Sequence, residues 1–216
     1  MYNLPYEYIA IEGPPKSGKK IFGVKIATRI NGRFVPDVEE NPYLEKFLKN
    51  PKDERLAFLT QLVFLVERGR ILLSLRQRTI FKEIIITSFM LEKDKIFAYK
   101  FLKEEELLIY NKMYELFYRS IRKPDFVIFF QLTNNELLRR IEKYGTEEEK
   151  AISSKFWKEL NDEYNHFAFN YNQTPSLVIK ADNLDFRENE RGISEIIKEI
   201  ANTTQNKKFF FIEEEN

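Results

Sequence analysis

The sequence predicts an α/β fold in which a parallel sheet carries helices on both faces. Three observations lead there. The runs Tyr8 to Ile11, Ile84-Ile85-Ile86 and Phe126 to Leu132 are apolar without alternation, as expected of strands covered on both sides. Helical stretches separate these runs, which implies parallel pairing through right-handed crossovers. The first run also leads directly into a glycine- and lysine-rich break that opens a helix.

The elements follow in order. Tyr8 to Ile11 reads as a buried strand ending at Glu12-Gly13. A helix then opens after Gly18 and stops at Asn31-Gly32, where an asparagine-glycine pair suits a C-terminal cap. Arg33 to Val38 is a second strand, and Asn41-Pro42 begins a short helix broken at Asn50-Pro51. Asp53 opens a long amphipathic helix, with Leu56, Leu59, Val63, Val66 and Arg70 at helical spacing. Glu83 to Phe89 is the third strand, Glu104 to Ser120 a helix, and Phe126 to Leu132 the fourth strand. Asn134-Asn135 is expected to cap a helix to Tyr144. Glu147 to Lys150 reads as a charged break before a helix from Ser153-Ser154 that carries Trp157, Leu160, Tyr164 and Phe167. Ser176 to Ile179 is a last core strand and Arg191 to Ala201 a final helix. Residues 1–201 therefore form one domain, with a tail over 202–216. That tail is polar apart from Phe209 to Ile212, which is expected to dock on the domain because four exposed apolar residues are a liability.

Composition narrows the function classes. With 216 residues and 43% hydrophobic content, the chain can bury a substantial core, much of it aromatic given 20 Phe and 11 Tyr. Thirty-five basic against 34 acidic residues leave a net charge of +1, which gives no electrostatic case for nucleic acid or a membrane surface. The absence of cysteine excludes disulfides and thiolate chemistry, and the single histidine, His166, excludes a multi-histidine metal site. His166 lies among Phe167, Phe169 and Tyr171 and reads as a core or interface residue. No apolar run spans a bilayer and the first eight residues lack signal-peptide character, so a cytoplasmic protein is expected.

The break Gly13-Pro14-Pro15-Lys16-Ser17-Gly18-Lys19 fits the first seven positions of a phosphate loop, between a strand and a helix as the motif requires. Backbone N–H groups at such a turn cradle phosphates, and Lys19 is placed to reach the β- and γ-phosphates of ATP. The expected phosphate-binding set is Gly13, Lys16, Ser17, Gly18, Lys19 and Lys20. The last of these stands where Ser or Thr normally ligates Mg²⁺, which an ammonium cannot do.

From Tyr8 to about Ile200 the chain resembles the bacterial deoxyadenosine/deoxyguanosine kinase family. The resemblance rests on an ordered set: Tyr8-Ile9-Ala10-Ile11-Glu12-Gly13, Glu39-Glu40-Asn41-Pro42-Tyr43-Leu44, Ala57-Phe58-Leu59-Thr60-Gln61-Leu62, Leu91 to Ala98, Lys123-Pro124-Asp125, Leu160 to Asn165 and Asp182 to Phe186. It implies a P-loop three-layer sandwich with a five-stranded parallel sheet and a small lid near 142–153. It also implies an ATP donor, a deoxynucleoside acceptor and a homodimer. By the same resemblance Asp37 is the catalytic carboxylate beside Lys19. Gln61, Arg68 and Asp94 lie by the acceptor, and Asp182, Asp185 and Phe186 form the loop on the donor adenine.

Several positions depart from the family pattern. Ser88 stands where an acidic residue helps to hold Mg²⁺, and is a weak metal candidate. Leu59 stands where a base-reading Gln is expected, and the stretch Glu142 to Lys150 contains no arginine. Three readings remain: a kinase with unusual phosphate handling; a non-catalytic relative serving as a binding subunit, paired even with an active paralogue; or a P-loop protein acting on another small substrate.

Overall fold

A computed structural model describes residues 4–75, 83–203 and 207–210. Its centre is a single sheet of six parallel strands in the order β2-β3-β1-β4-β5-β6. The strands are β1 (Tyr8–Glu12), β2 (Arg33–Val35), β3 (Ile85–Thr87), β4 (Phe126–Gln131), β5 (Ser176–Lys180) and β6 (Lys207–Phe210).

Alternation along the strands sends side chains to two separate cores. Ile9 and Ile11 of β1, Phe126, Ile128 and Phe130 of β4, and Leu177 and Ile179 of β5 face one side. There they meet α1 (Lys19–Ile30), α6 (Asn134–Tyr144) and α9 (Glu190–Asn202). Tyr8 and Ala10, Val127 and Phe129, and Val178 face the other side, with α2 (Leu44–Lys49), α3 (Glu54–Ser74), α4 (Asp94–Phe101) and α5 (Glu104–Ser120). The long α8 (Ser154–Asn170) serves both cores, giving Trp157, Leu160 and Tyr164 to the first and Ala168 to the second. Apolar residues at successive positions of a strand are thus explained by period-2 geometry between two helical layers.

Three expectations change. The sheet has six strands, not five, because the tail adds β6 beside β5, with Ser176 opposite Lys207 and Ile179 opposite Phe210. An open strand edge offers a row of unpaired amides and carbonyls, and the aromatic pair Phe209-Phe210 has the composition to extend it. Phe210 packs on the first core whereas Phe209 stays exposed. Phe211 and Ile212 lie outside the described residues. The charged stretch after Tyr144 is not a break but a short helix, α7 (Glu147–Ala151), closed by a capping box between Thr146 and Glu149. Three glutamates in a first turn suit the positive end of a helix. The cap of α6 is Thr133, whose hydroxyl accepts from the Glu136 amide at 3.3 Å, one residue before the expected asparagine.

Among the described residues, no helix is long and apolar enough to cross a membrane.

Candidate active site

The phosphate loop joins β1 to α1. Gly13 and Gly18 both have positive φ, 152° and 93°. A Cβ on Gly13 would lie 2.5 Å from the Phe130 carbonyl oxygen, and one on Gly18 would lie 2.8 Å from the Phe186 ring. Both positions therefore demand glycine for conformation and for space. The first turn of α1 has no side-chain cap, so its amides face the loop without a side-chain partner. Ser17 Oγ is buried there without a hydrogen-bond partner. Uncapped amides, an unpaired hydroxyl and a positive helix end together make an anion cradle.

Around this cradle lies a cavity of about 740 Å³, lined by Lys16 to Ile21, Arg139, Arg140, Tyr144 and the 182–187 loop. Two of these arginines were not anticipated from the sequence. Arg140 is buried, donating to the carbonyls of Lys16 at 3.3 Å, Ala181 at 2.5 Å, Asp182 at 3.0 Å and Leu184 at 3.3 Å. It fastens the phosphate loop to the 182–187 loop. Arg139, one residue earlier, is exposed on the cavity wall and pairs with Glu136 at 2.6 Å. The arginine-free stretch is thus preceded by a turn that supplies two arginines to the same cavity. An Arg-Arg pair in the middle of an amphipathic helix is the available signal.

The 182–187 loop differs in detail from expectation. Phe186 is a core residue, its ring 4.9 Å from Phe130 and 5.0 Å from Phe22, and it supports Gly18 from beneath. Asp182 accepts from the Thr133 amide at 2.9 Å and braces the start of α6. Asp185 pairs with Arg187 at 3.3 Å. The aromatic ring at this rim is Tyr144, with the Arg187 guanidinium 4.4 Å from its centroid.

Lys19 lines this cavity and also a second one, of about 270 Å³, on the other side of the loop. Its ammonium is 3.2 Å from the buried Glu12 carboxylate and also meets the Gly13 carbonyl. Burial lowers the affinity of this amine for its proton, against the attraction of Glu12. The second cavity has an apolar wall, including Phe47, Phe64, Phe97, Phe156 and Trp157, and a polar floor of Asp37, Gln61, Arg68 and Lys93. Gln61 and Arg68 are seven residues apart on α3, two helical turns, so both reach this floor. Leu59 is not part of the lining.

The floor is a network of charges. Arg68 donates from Nε to Asp37 Oδ1 at 2.7 Å and from Nη2 to Oδ2 at 3.0 Å, while its Nη1 meets Asp94. Lys93, on the turn Leu91–Lys93 after β3, is only 3% exposed and puts its ammonium on Asp37 Oδ2. Burial alone would raise the Asp37 carboxyl, but Lys93 and Arg68 outweigh it and hold the group well below the usual carboxylate range. Burial pushes Asp94 up to about 6 despite Arg68. Lys93 was named in the sequence only as part of a matching segment. Its role depends on a 56-residue separation from Asp37 that no local pattern encodes.

Above this floor sits α7. Glu149 pairs with Lys16 at 2.7 Å, its carbonyl accepts from Trp157 Nε1 at 3.1 Å, and it lines the second cavity. The region expected to be a lid therefore lies against the phosphate loop.

A side-chain-anchored Mg²⁺ does not fit these residues. Glu12 already accepts from the Gly13 amide at 2.9 Å, the Met90 amide at 3.2 Å and Lys19. Ser88 Oγ accepts from the Asp37 amide at 3.0 Å, and Lys20 pairs with Glu39 at the surface. Among the described residues no group of three His, Asp or Glu side chains is placed to hold a metal.

Two cavities meeting at one phosphate-loop lysine, on a parallel sheet between helical layers, define the class: a P-loop α/β protein. Comparisons with known proteins sharpen that class. The sequence matches the deoxynucleoside kinase family over residues 9–205. It is 32% identical to a deoxyguanosine kinase of Bacillus subtilis over 159 residues, covering 73% of this chain and 76% of that protein. It is 27% identical to the deoxyadenosine/deoxycytidine kinase of the same organism, covering 89% and 91%. The fold is similar to that of deoxyadenosine kinase from M. mycoides with bound dATP, at a TM-score of 0.73 and 26% identity over 89% of this chain and 98% of that one. This chain belongs to the deoxynucleoside kinase family.

Proposed function

We propose that the protein transfers the γ-phosphate of ATP to the 5′-hydroxyl of a purine deoxynucleoside. The observation that carries this reading is that Lys19 lines both cavities and that Asp37 lies on the floor of the second. ATP phosphates suit the cradle of Gly13 to Lys20, with Arg139 on the far wall. A deoxynucleoside suits the apolar cavity, whose volume of about 270 Å³ falls just below the ~300–1,000 Å³ range of small-molecule sites. Gln61 can present a donor and an acceptor to an adenine edge, as glutamine does elsewhere.

The reaction balances simply. The 5′-oxygen bonds to Pγ as the bond from Pγ to the bridging oxygen breaks, and ADP leaves with that electron pair. The hydroxyl proton passes to Asp37 and then to solvent. A carboxylate held well below its usual range is a weak base, but phosphoryl transfer has a loose transition state with little early demand for one. Positioning of the hydroxyl is then the main task of Asp37. Two copies are proposed to pair across α5, where Leu108 and Leu116 stand exposed on a concave strip with Lys112 and Glu115.

A second reading, a binding subunit without turnover, alone or paired with an active paralogue, is favoured by one observation: the Glu12 and Asp37 carboxylates are both engaged by protein donors, and among the described residues no group of three carboxylates is placed to hold Mg²⁺. Incubation with ATP and each of the four deoxynucleosides, with product analysis, separates the two. A deoxynucleoside 5′-monophosphate supports the kinase reading. ATP binding with no product from any acceptor sinks it in favour of the second.

A further inference from the structure

A carboxylate offers about four lone-pair sites. On Asp37 all four are taken: Oδ1 accepts from Arg68 Nε at 2.7 Å and from the Val38 amide at 2.8 Å. Oδ2 accepts from Arg68 Nη2 at 3.0 Å and from Lys93 Nζ. If Asp37 is to receive an acceptor hydroxyl, as the reading above requires, one donor must give up its place.

The four donors are not equally free to move. The Val38 amide is main chain, adjacent to Asp37 itself. Arg68 is held from its other side by Asp94 and lies with its guanidinium 4.5 Å from the Phe64 ring centroid. Lys93 alone is a single ammonium on a flexible four-carbon stem. A buried ammonium cannot be left without an anion, since the desolvation cost is several kcal/mol. On leaving Asp37 it must find another negative group in the same cavity. Lys19 lines that cavity too, and a phosphate bound by Lys19 is the anion that ATP would bring there.

We propose that Lys93 is an exchangeable ligand of Asp37. It caps the carboxylate in the unliganded protein and passes to the terminal phosphate of the donor when the acceptor hydroxyl takes its place. Lys93 then acts as a substrate-gated cation, which supplies positive charge at the transferring group where side chains hold no metal. Two consequences follow from the exchange. Donor and acceptor bind with positive coupling, because each relieves the cost of the other. The coupling also depends on the acceptor's hydroxyl and not on its base.

The test uses full-length protein and the β,γ-methylene analogue of ATP, titrated calorimetrically. The analogue is added alone, with saturating deoxyadenosine, or with 2′,5′-dideoxyadenosine, which lacks the hydroxyl. In the wild type, deoxyadenosine should tighten analogue binding about tenfold, within the usual range of coupling, and the dideoxy compound should not. Lys93→Met should abolish the difference, and Lys93→Arg should restore part of it. Lys93→Gln replaces the methionine variant if that variant does not fold. Equal coupling from the two nucleosides, no coupling in the wild type, or unchanged coupling in Lys93→Met overturns the proposal. The product assay is separate. Lys93-dependent coupling without product would retire the kinase reading and keep this inference. Product formed at the wild-type rate by Lys93→Met would do the reverse.

Discussion

The two cavities that we propose as the donor side and the acceptor side are built in opposite ways. The donor side is made of backbone. Gly13 and Gly18 shape it, the amides at the start of α1 face it, and eight consecutive residues carry most of its chemistry. The acceptor side is made of side chains from distant segments: Asp37 after β2, Gln61 and Arg68 on α3, Lys93 on the turn after β3, and Asp94 opening α4. Backbone geometry tolerates substitution around it but not at its glycines. A buried charge network tolerates neither, because removing one member leaves its partner unpaired.

That contrast can be broken, beginning where the effect is largest. Asp37→Asn should lower kcat by about 10²-fold, the usual cost of losing the positioning of a reacting group. Binding of ATP should not weaken, because Asp37 does not line the phosphate-loop cavity and a released Lys93 is free to meet the phosphate. Kinetics set beside calorimetry checks this, and an equal loss of ATP affinity would mean that the two sides are not separable.

Arg68→Met should cost stability on the order of 3–5 kcal/mol, the range for breaking a buried pair, because Asp94 loses its partner and Asp37 one of its two cations. Denaturant unfolding measures it. Gly18→Ala should cost about 1–3 kcal/mol through its positive φ and the Phe186 contact, and should weaken ATP binding with no effect on nucleoside binding.

A pH experiment sharpens the acceptor side. Asp94 titrates near 6 in the folded protein against an ordinary 3.8, so the native state holds this proton more tightly than the unfolded chain. Its contribution to stability is present in full below about pH 4 and is lost as pH rises through 6. Asp37 has the opposite sign, with stability present above its ordinary value and lost as pH falls below it. Asp94→Asn should therefore flatten the stability profile between pH 4 and 6 while leaving the more acidic limb in place. An unchanged slope between pH 4 and 6 would mean that Asp94 does not titrate there. The smallest effect belongs to Lys20→Ala. Its pair with Glu39 is exposed on both sides, and such pairs contribute within ~1 kcal/mol.

The legibility of the sequence follows the same division. The five strands from Tyr8 to Lys180 and the helices opening at Lys19, Glu54 and Glu104 were readable, because apolar runs and caps are local signals. β6 was not, because nothing within Lys207 to Phe210 says which edge it will meet. α7 was missed because three adjacent glutamates read as a solvated loop until Thr146 and Glu149 close a box around them. At the site, the glycine and lysine pattern pointed to the loop that lines the first cavity, and the family resemblance pointed to Asp37, Gln61 and Arg68, which line the second, and to Asp94, which holds Arg68. Gln61 lines the second cavity and Leu59 does not, a difference of helical phase that the bare sequence leaves open.

By itself, then, the sequence determined the phosphate loop, the layering of helices on a parallel sheet and the family to which the chain is similar. Each of these is written in nearest neighbours or in short periods. Only the tertiary structure decided that Lys93 and Arg68 converge on Asp37, that Arg140 ties two loops together, and that the tail completes the sheet. The reason is physical. A buried ion must have a counter-ion, but the chain can bring that partner from any distance, and which one arrives depends on how the layers pack.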